Sequence, residues 1–239
     1  MLKRAILVFW AFLSLACVKT EAQNIYLISA GVSDYPGTEM DLRTPAPDAR
    51  IIHRLYKQNS KAESVLLTNS HATKTRILSS ARKLFAKAQP DDIVVFFFSG
   101  HGFQGGLATY GDYLFYTDLR EVFAACKARN KMIFVNACHS GDMREKNSTG
   151  ISDPDSNIML FLSSRPDEYS WEQSNMRNSW FTASLARALK GGADFNRDRT
   201  ISARELFVAV SDMVVELSDG EQHPVMWGNF KDTMPVMVW

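Results

Sequence analysis

The sequence has little cysteine, no excess of either charge and no long uninterrupted hydrophobic segment. Three of its 239 residues are cysteines, and 27 lysines and arginines nearly balance 26 aspartates and glutamates. Because a nucleic-acid-binding protein usually carries a basic excess, this balance argues against that class. The chain also contains no internal repeat and no low-complexity region. What remains is the composition of a globular protein that is not built on a disulfide framework.

The first 22 residues have the pattern of a targeting signal. Lys3 and Arg4 form a basic start, residues 5–16 form an apolar core, and small residues precede the cleavage site. A core of 12 residues is too short to span a bilayer comfortably. We predict that residues 1–22 are a signal peptide, that the protein is exported to the periplasm or the extracellular space, and that no stable membrane span remains. A permanent anchor and lipid attachment at Cys17 are the less favoured alternatives.

Residues 23–239 are long enough for one sizeable α/β domain. Two cysteines remain in this domain. Cys126 lies on the apolar stripe of a predicted helix, which favours a buried structural thiol over a disulfide with Cys138. A free cysteine in an exported protein is typical of a nucleophile, and Cys138 is the candidate.

Two segments with the pattern of buried strands end in small residues beside a reactive side chain. Residues 91–102 read DDIVVFFFSGHG and residues 132–142 read MIFVNACHSGD. Continuous β-branched and aromatic runs are typical of strands buried on both faces of a parallel sheet. Residues 116–127, between them, have helical spacing and complete a strand–helix–strand unit. We therefore expect His101 and Cys138 at the carboxyl edge of one sheet, where ligands bind in such folds.

A thiol and an imidazole at one edge can form a catalytic dyad. The imidazole activates Cys138 as a thiolate and later acts as a general acid. The neighbouring glycines allow backbone N–H groups to approach a substrate carbonyl closely. The predicted oxyanion hole consists of the N–H groups of Gly102 and Cys138. His139 is a competing base by adjacency, although successive residues after a strand point in different directions.

The two motifs together resemble those of the caspase-like cysteine peptidases, particularly the metacaspase and bacterial branch. The matching segments are Ser99–Gly102, which reads SGHG, and Asn136–Gly141, which reads NACHSG. The resemblance implies a three-layer α/β/α sandwich with a mostly parallel sheet of about six strands. It also implies that Cys138 is the nucleophile, that His101 is the acid and base, and that the substrate is a peptide or protein. This chemistry requires no cofactor.

The substrate pocket implied by the resemblance differs at one position. Metacaspase-like members usually have an aspartate where Asn136 stands, and it helps to bind a basic side chain in the first specificity pocket. The preference at this pocket is therefore left open, with Asp34, Asp167 and Glu172 as candidates for the missing acid. The alternatives are an Asx turn at Asp34 and helix capping by the other two. Asp48 is predicted to be an N-cap or first-turn acid of a helix.

Two further segments are interpreted with their alternatives. Residues 142–157 predict an exposed loop. The resemblance implies that such a loop can be cut during activation, although an uncut loop is favoured. A second pattern resembles an EF-hand loop: oxygen-bearing side chains occupy loop positions 1, 3, 5 and 12, but arginine replaces the glycine at position 6. The ligand positions are Asp194, Asn196, Asp198 and Glu205. Calcium is therefore a candidate ligand, and a helix-connecting turn that uses these acids as caps is the alternative.

The sequence thus predicts an exported cysteine endopeptidase with a Cys138–His101 dyad. Two other functions use the same residues. An inactive scaffold with this fold would bind a peptide or a partner without cutting it, and the departure at Asn136 is what favours this alternative. A peptide ligase would use the same dyad for a different acyl transfer. The sequence does not predict an oligomeric state.

Overall fold

The structure is a computed structural model that describes residues 23–137, 158–165 and 177–239. These residues form eleven strands: β1 (Ile25–Gly31), β2 (Ala62–Thr68), β3 (Ile93–Ser99), β4 (Gly102–Phe103), β5 (Gly106–Thr109), β6 (Asp112–Phe115), β7 (Asn130–Asn136), β8 (Ile158–Leu162), β9 (Thr200–Ser202), β10 (Val225–Gly228) and β11 (Pro235–Val238). They also form five α-helices: α1 (Pro45–Lys57), α2 (Lys74–Phe85), α3 (Tyr116–Ala124), α4 (Trp180–Arg187) and α5 (Ala203–Leu217). A π-helical turn, Ala188–Gly192, continues α4.

The central sheet has six strands in the order β10-β8-β7-β3-β1-β2. Its first five strands in the chain pair in parallel, and β10 pairs antiparallel with β8 at one edge. The registers place Thr68, Gly31, Ser99 and Asn136 on a single rung. Four neighbouring parallel strands therefore end at the same level, and their carboxyl ends form one edge.

Helices cover both faces of this sheet. Side chains of α2 and α3 pack with one face, and side chains of α1, α4 and α5 pack with the other. Every residue of the central strand β3 is buried, and successive phenylalanines alternate between the two layers, with Phe96 and Phe98 on one side and Phe97 on the other. The apolar run is unbroken because both faces of the strand are covered. The predicted three-layer α/β/α sandwich and its mostly parallel sheet are confirmed.

Three local features differ from the sequence-based expectation. A small three-stranded sheet, β4-β5-β6, lies between β3 and α3, where only a connection to the helix was expected. The helix α3 ends at Ala124, so Cys126 falls just beyond it. Cys126 is nevertheless buried and unpaired, its S–H donates to the carbonyl oxygen of Phe85 at 3.5 Å, and burial raises the pKa of its thiol. The last strand, β11, pairs with β9 in a separate two-stranded sheet.

Several predicted features lie outside the described residues. They are the signal segment with Cys17, the nucleophile Cys138, the competing base His139, the 142–157 loop, Asp167 and Glu172. Among the residues that are described, no helix is both long and apolar enough to cross a membrane.

Candidate active site

The structure brings the ends of the two motif strands together. Ser99 of β3 and Asn136 of β7 are paired residues of the parallel ladder, and the Gly100 N–H donates to the Asn136 carbonyl oxygen at 3.1 Å. His101 is two residues beyond this rung on one strand. Cys138 is two residues beyond it on the other and directly follows Ala137, the last described residue of that segment. The side-by-side arrangement of these strand ends is the geometric basis of the site.

The imidazole of His101 is held in one orientation. Its Nε2 lies 2.8 Å from the carbonyl oxygen of Met40, in the loop between β1 and α1. A carbonyl oxygen can only accept, so Nε2 must carry the hydrogen in this contact, and Nδ1 is then the acceptor nitrogen of the neutral ring. The ring of Tyr35 lies against the imidazole, with the ring centroids 5.2 Å apart. His101 therefore presents Nδ1 as the nitrogen that can take up a proton.

A buried tyrosine holds the backbone of His101. The Tyr35 hydroxyl accepts from the His101 N–H at 3.0 Å and donates to the Ala108 carbonyl oxygen at 3.1 Å. On the same rung, the Ala108 N–H donates to the His101 carbonyl oxygen at 3.0 Å. Burial raises the pKa of Tyr35 to about 12, which keeps its hydroxyl protonated and able to donate. The Tyr35 hydroxyl thus bridges the His101 N–H and the Ala108 carbonyl oxygen in place of a direct ladder hydrogen bond. It thereby fixes the backbone of the candidate base.

The position of Gly102 suits the predicted oxyanion hole. Gly102 pairs with Leu107 in the antiparallel β4–β5 ladder. Because hydrogen-bonded and non-hydrogen-bonded pairs alternate in such a ladder, and the neighbouring His101–Ala108 pair carries a hydrogen bond, Gly102 falls on a non-hydrogen-bonded pair. Its N–H is directed away from the partner strand and is free to meet a substrate oxygen.

A buried carboxylate joins the strand ends beneath this edge. One oxygen of Asp48, Oδ2, accepts from Ser99 Oγ at 3.0 Å, Asn136 Nδ2 at 3.1 Å and Ser179 Oγ at 2.8 Å. The other, Oδ1, accepts from Asn178 Nδ2 at 2.9 Å and the Ser179 N–H at 3.1 Å. None of these five donors is charged. Burial raises the pKa of Asp48 to about 6, and the hydrogen bonds only partly oppose this rise.

Asn136, a predicted substrate-binding residue, lies within this cluster. It is only 6% exposed, and its Nδ2 also lies 3.1 Å from Ser99 Oγ and 2.8 Å from Ser179 Oγ. Its amide oxygen Oδ1 is buried and has no hydrogen-bond partner among the described residues. An acceptor without a partner in a buried position is costly, so it is a natural point for a donor from a ligand.

The contacts of Asp48 with the strand ends were not predicted from the sequence. The sequence predicted an N-cap or first-turn acid, and the structure confirms the first turn of α1, but it also directs the side chain of Asp48 to the strand ends. The sequence did indicate that Asp48 is buried, because Asp48 precedes Ile52 by four positions and so shares the buried face of the helix.

The candidate Asp34 has an exposed side chain in the loop between β1 and α1.

The acids of the EF-hand-like loop are engaged in a turn and a helix cap. The two oxygens of Asp194 accept from the N–H groups of Asp198 at 3.1 Å and Arg199 at 3.1 Å. Glu205 accepts from the N–H of Ser202 at 3.0 Å in the capping box of α5. Within the described ranges, no group of three or more His, Cys, Asp or Glu side chains is placed to hold a metal ion. The acids thus have the contacts that the capping alternative predicts, and calcium binding stays a prediction.

The sequence belongs to the caspase domain family, whose pattern matches residues 28–234. This is a family of cysteine peptidases. No curated protein sequence matches it.

Solved structures with the same fold include two that cover most of the chain. The protein GSU0716 from Geobacter sulfurreducens has a TM-score of 0.67 at 17% identity, covering 85% of this chain and 92% of its own. Caspase-1 from Spodoptera frugiperda has a TM-score of 0.66 at 17% identity, covering 87% of this chain and 88% of its own. At this identity the likeness establishes the caspase-like fold and nothing finer.

Proposed function

We propose that this protein is an exported cysteine endopeptidase whose nucleophile is Cys138 and whose acid and base is His101. The observation that carries the proposal is the shared rung of Ser99 and Asn136, because each catalytic residue follows that rung by two positions. The fixed imidazole supports it, since the Met40 carbonyl selects the tautomer in which Nδ1 can accept a proton.

The proposed reaction is acyl transfer in two steps. The Cys138 thiol gives its proton to His101 Nδ1, and the thiolate attacks the carbonyl carbon of the scissile peptide bond. The N–H groups of Gly102 and Cys138 stabilise the oxyanion. His101 then protonates the leaving amine as the C–N bond breaks, which leaves a thioester on Cys138. Water, deprotonated by His101, hydrolyses the thioester and releases the acid product and the free thiol.

The Asp48 cluster supports a basic residue on the amino side of the cleaved bond, the P1 position. The resemblance places the first specificity pocket at Asn136, which is itself neutral. In the structure Asn136 contacts the carboxylate of Asp48, so this position retains a negative charge. The unpartnered Oδ1 of Asn136 supplies a direct acceptor. A guanidinium or ammonium group satisfies both features, since it donates a hydrogen bond and carries the opposite charge.

Peptide hydrolysis by the wild type and Cys138→Ala tests the reaction. We expect the wild type to cleave a mixed peptide substrate and Cys138→Ala to lose at least about a thousandfold of that activity, with or without calcium. Equal rates, or no cleavage under any condition, would favour the scaffold. Mass spectrometry of products formed with an added amine acceptor separates hydrolysis from ligation.

A positional-scanning peptide library tests the P1 preference. We expect cleavage predominantly after Arg or Lys, and we expect Asp48→Asn to lose that preference. Asp92→Asn is the matched control. Asp92 is also a buried acid, accepting from the Asn24 N–H and the Gln89 N–H, but it lies at the opposite end of β3. Predominant cleavage after an acidic or apolar residue would contradict the role of Asp48.

The export part of the proposal rests on residues 1–22 alone. Mass spectrometry of the protein recovered from the exported fraction should show a chain shortened by about 22 residues. An intact N-terminus in the cytoplasmic fraction would refute it.

A further inference from the structure

The small sheet after His101 has one face toward the core and one toward solvent. In its register Leu107 pairs with Leu114, and both are fully buried. Side chains alternate between the faces of a sheet, so the neighbouring pairs, Ala108–Tyr113 and Gly106–Phe115, lie on the other face. Phe103 pairs with Gly106 and therefore shares that face.

Three aromatic side chains lie together on this outer face. The ring of Phe103 is 5.1 Å from that of Tyr113 and 5.9 Å from that of Phe115, both in edge-to-face geometry. Tyr113 is 55% exposed and Phe115 is 46% exposed. Gly106 leaves room for this arrangement, because a Cβ there would meet the Phe103 ring and the Leu114 carbonyl oxygen. We refer to Phe103, Tyr113 and Phe115 as the aromatic face.

The aromatic face is continuous with the candidate catalytic base. The hydrogen bond from the Ala108 N–H to the His101 carbonyl oxygen extends the β4–β5 ladder by one rung. His101 therefore lies opposite Ala108 and next to Phe103 on the same side of the sheet, about 7 Å along the strand. A general acid must lie beside the amine that it protonates. A peptide bound for cleavage would thus pass from His101 over the aromatic face on its leaving-group side.

We propose that the aromatic face is a binding surface for an apolar or aromatic side chain on the leaving-group side of the peptide substrate. This inference rests on the proposed peptidase function and adds a second specificity site to it. The surroundings favour an uncharged side chain, because Lys74, a cation that lies 5.2 Å from the centre of the Phe115 ring, is already paired with Asp118 at 2.9 Å. A stacked aromatic ring would gain edge or face contacts with all three rings.

The size of the aromatic face suits a peptide better than a second copy of the chain. Tyr113 and Phe115, each about half exposed, and the partly buried Phe103 together offer roughly 250 Å². A stable protein–protein interface buries about 800 Å² on each partner. One or two residues of an extended peptide fit the smaller area.

A peptide series with matched variants tests the proposal. The peptides share one sequence up to P1 and carry Phe or Ala at each of the three positions after the cut. We expect wild-type kcat/KM to be roughly three- to tenfold higher for Phe at one of these positions. The ratio of kcat/KM for the Phe peptide to that for the Ala peptide should fall towards one in Tyr113→Ser and Phe115→Ser. Phe195→Ser, which removes a 58% exposed ring from the EF-hand-like loop, should retain the ratio.

Three outcomes would overturn the inference. The first is a wild-type ratio of kcat/KM for Phe and Ala peptides near one at every position, and the second is a ratio that Tyr113→Ser and Phe115→Ser leave unchanged. The third is a loss of dimer mass in these variants by sedimentation, which would assign the face to self-association. Failure of the peptidase proposal is separable from these. If the wild type cleaves nothing, fluorescence anisotropy of a labelled Phe peptide on the Cys138→Ala protein still decides. Weaker binding in Cys138→Ala/Tyr113→Ser supports the aromatic face, and equal binding refutes it.

Discussion

Contacts within the protein fix both the ring and the backbone of His101, the proposed general base. The Met40 carbonyl holds Nε2, and the Tyr35 hydroxyl holds the backbone N–H. Such a base does not have to be reoriented when the substrate binds. At the residue scale, the role of Tyr35 in holding His101 can therefore be tested as directly as the proposed role of His101.

Removing the Tyr35 hydroxyl should harm both stability and turnover. Tyr35→Phe leaves the His101 N–H and the Ala108 carbonyl oxygen unpaired, so we expect about 1–3 kcal/mol less unfolding free energy and about a tenfold lower kcat. Tyr56→Phe is the control, because the Tyr56 hydroxyl is also buried but has no partner among the described residues. Urea denaturation and steady-state kinetics measure both effects. Equal effects of the two substitutions would remove the positioning role of Tyr35.

The buried carboxyl of Asp48 should make stability depend on pH. Its pKa rises from 3.8 to about 6 on folding, so the folded state binds its proton more tightly than the unfolded chain does. This contribution to stability is fully present below pH 3.8 and is lost as the pH rises through about 6. Between pH 4 and pH 7 the loss should be about 2 kcal/mol.

Urea denaturation of the wild type and Asp48→Asn across this pH range measures the effect. The unfolding free energy of the wild type should fall relative to that of the variant between pH 4 and pH 7. The described residues that contact Asp48 are uncharged, so its own titration dominates the difference. Parallel pH profiles for the two proteins would contradict the shifted pKa.

At the scale of elements, serine caps connect helices to the site and to the EF-hand-like loop. Ser179 begins α4 by accepting from the Thr182 N–H at 3.2 Å, and its hydroxyl donates to Asp48. Ser202 begins α5 in the same way, accepting from the Glu205 N–H at 3.3 Å within a reciprocal capping box. The start of α4 is therefore bonded to Asp48, and the start of α5 is bonded to Glu205 of the EF-hand-like loop.

Loss of the α5 cap should lower stability without affecting catalysis. We expect Ser202→Ala to reduce the unfolding free energy by about 1 kcal/mol, because the Glu205 N–H loses its partner and the Glu205 carboxylate loses the hydrogen bond from Ser202 Oγ. Ser211→Ala, within the same helix, should change it by less than about 0.5 kcal/mol. The two values come from chemical denaturation of the purified proteins. A thermal shift with calcium that Asp194→Asn abolishes would instead identify the loop as a metal site.

The elements that the sequence predicted correctly are those with long apolar patterns. The run from Ile93 to Ser99 and the run before Asn136 are strands because continuous β-branched and aromatic residues suit positions that are covered on both faces. The strands β4, β5 and β6 are two to four residues long, too short to show a period, and their pairing depends on turns that periodicity does not report. That is why the aromatic face was not foreseen.

At the scale of the whole molecule, the helix layer that contains α1 approaches the central sheet closely where β1 ends. A Cβ at Gly31 would collide with the Pro45 carbonyl oxygen at the start of α1 and would lie 2.9 Å from the Ala49 Cβ. This contact brings the first turn of α1, and with it Asp48, against the ends of the strands. The absence of a side chain at one position thus allows the helix layer to reach the site.

Gly31→Ala should separate these layers. We expect a loss of about 2–3 kcal/mol in unfolding free energy and a further loss of peptidase activity. Gly105→Ala is the control for a glycine with left-handed backbone, since its φ is +90° and no atom lies within 4 Å of the added Cβ. That change should cost about 1 kcal/mol and leave α1 in place. Similar losses in both variants would show that the α1 contact is not critical.

Only the parts of the site that lie in short sequence motifs could be predicted from the sequence. Because His101 and Cys138 belong to short motifs at strand ends, sequence alone was enough to propose them as the catalytic pair, and their roles stay a prediction. Asp48 is brought to Asn136 across 88 positions of chain, and no local pattern reports such a contact. The partner of a buried side chain is decided by which helix covers which face, and that is settled only when the layers assemble.

Because Ser99 and Asn136 share a rung, the sheet sets the spacing of the strand ends that precede the proposed catalytic pair. The distance between the two strand ends is set by hydrogen-bonded neighbours, whatever chain connects them. Extra residues at the turn near Gly105 should be tolerated, so this connection is a place where a longer recognition loop can be grafted. A single residue inserted within β7 is different, because it would turn every following side chain to the opposite face and leave the imidazole without its thiol.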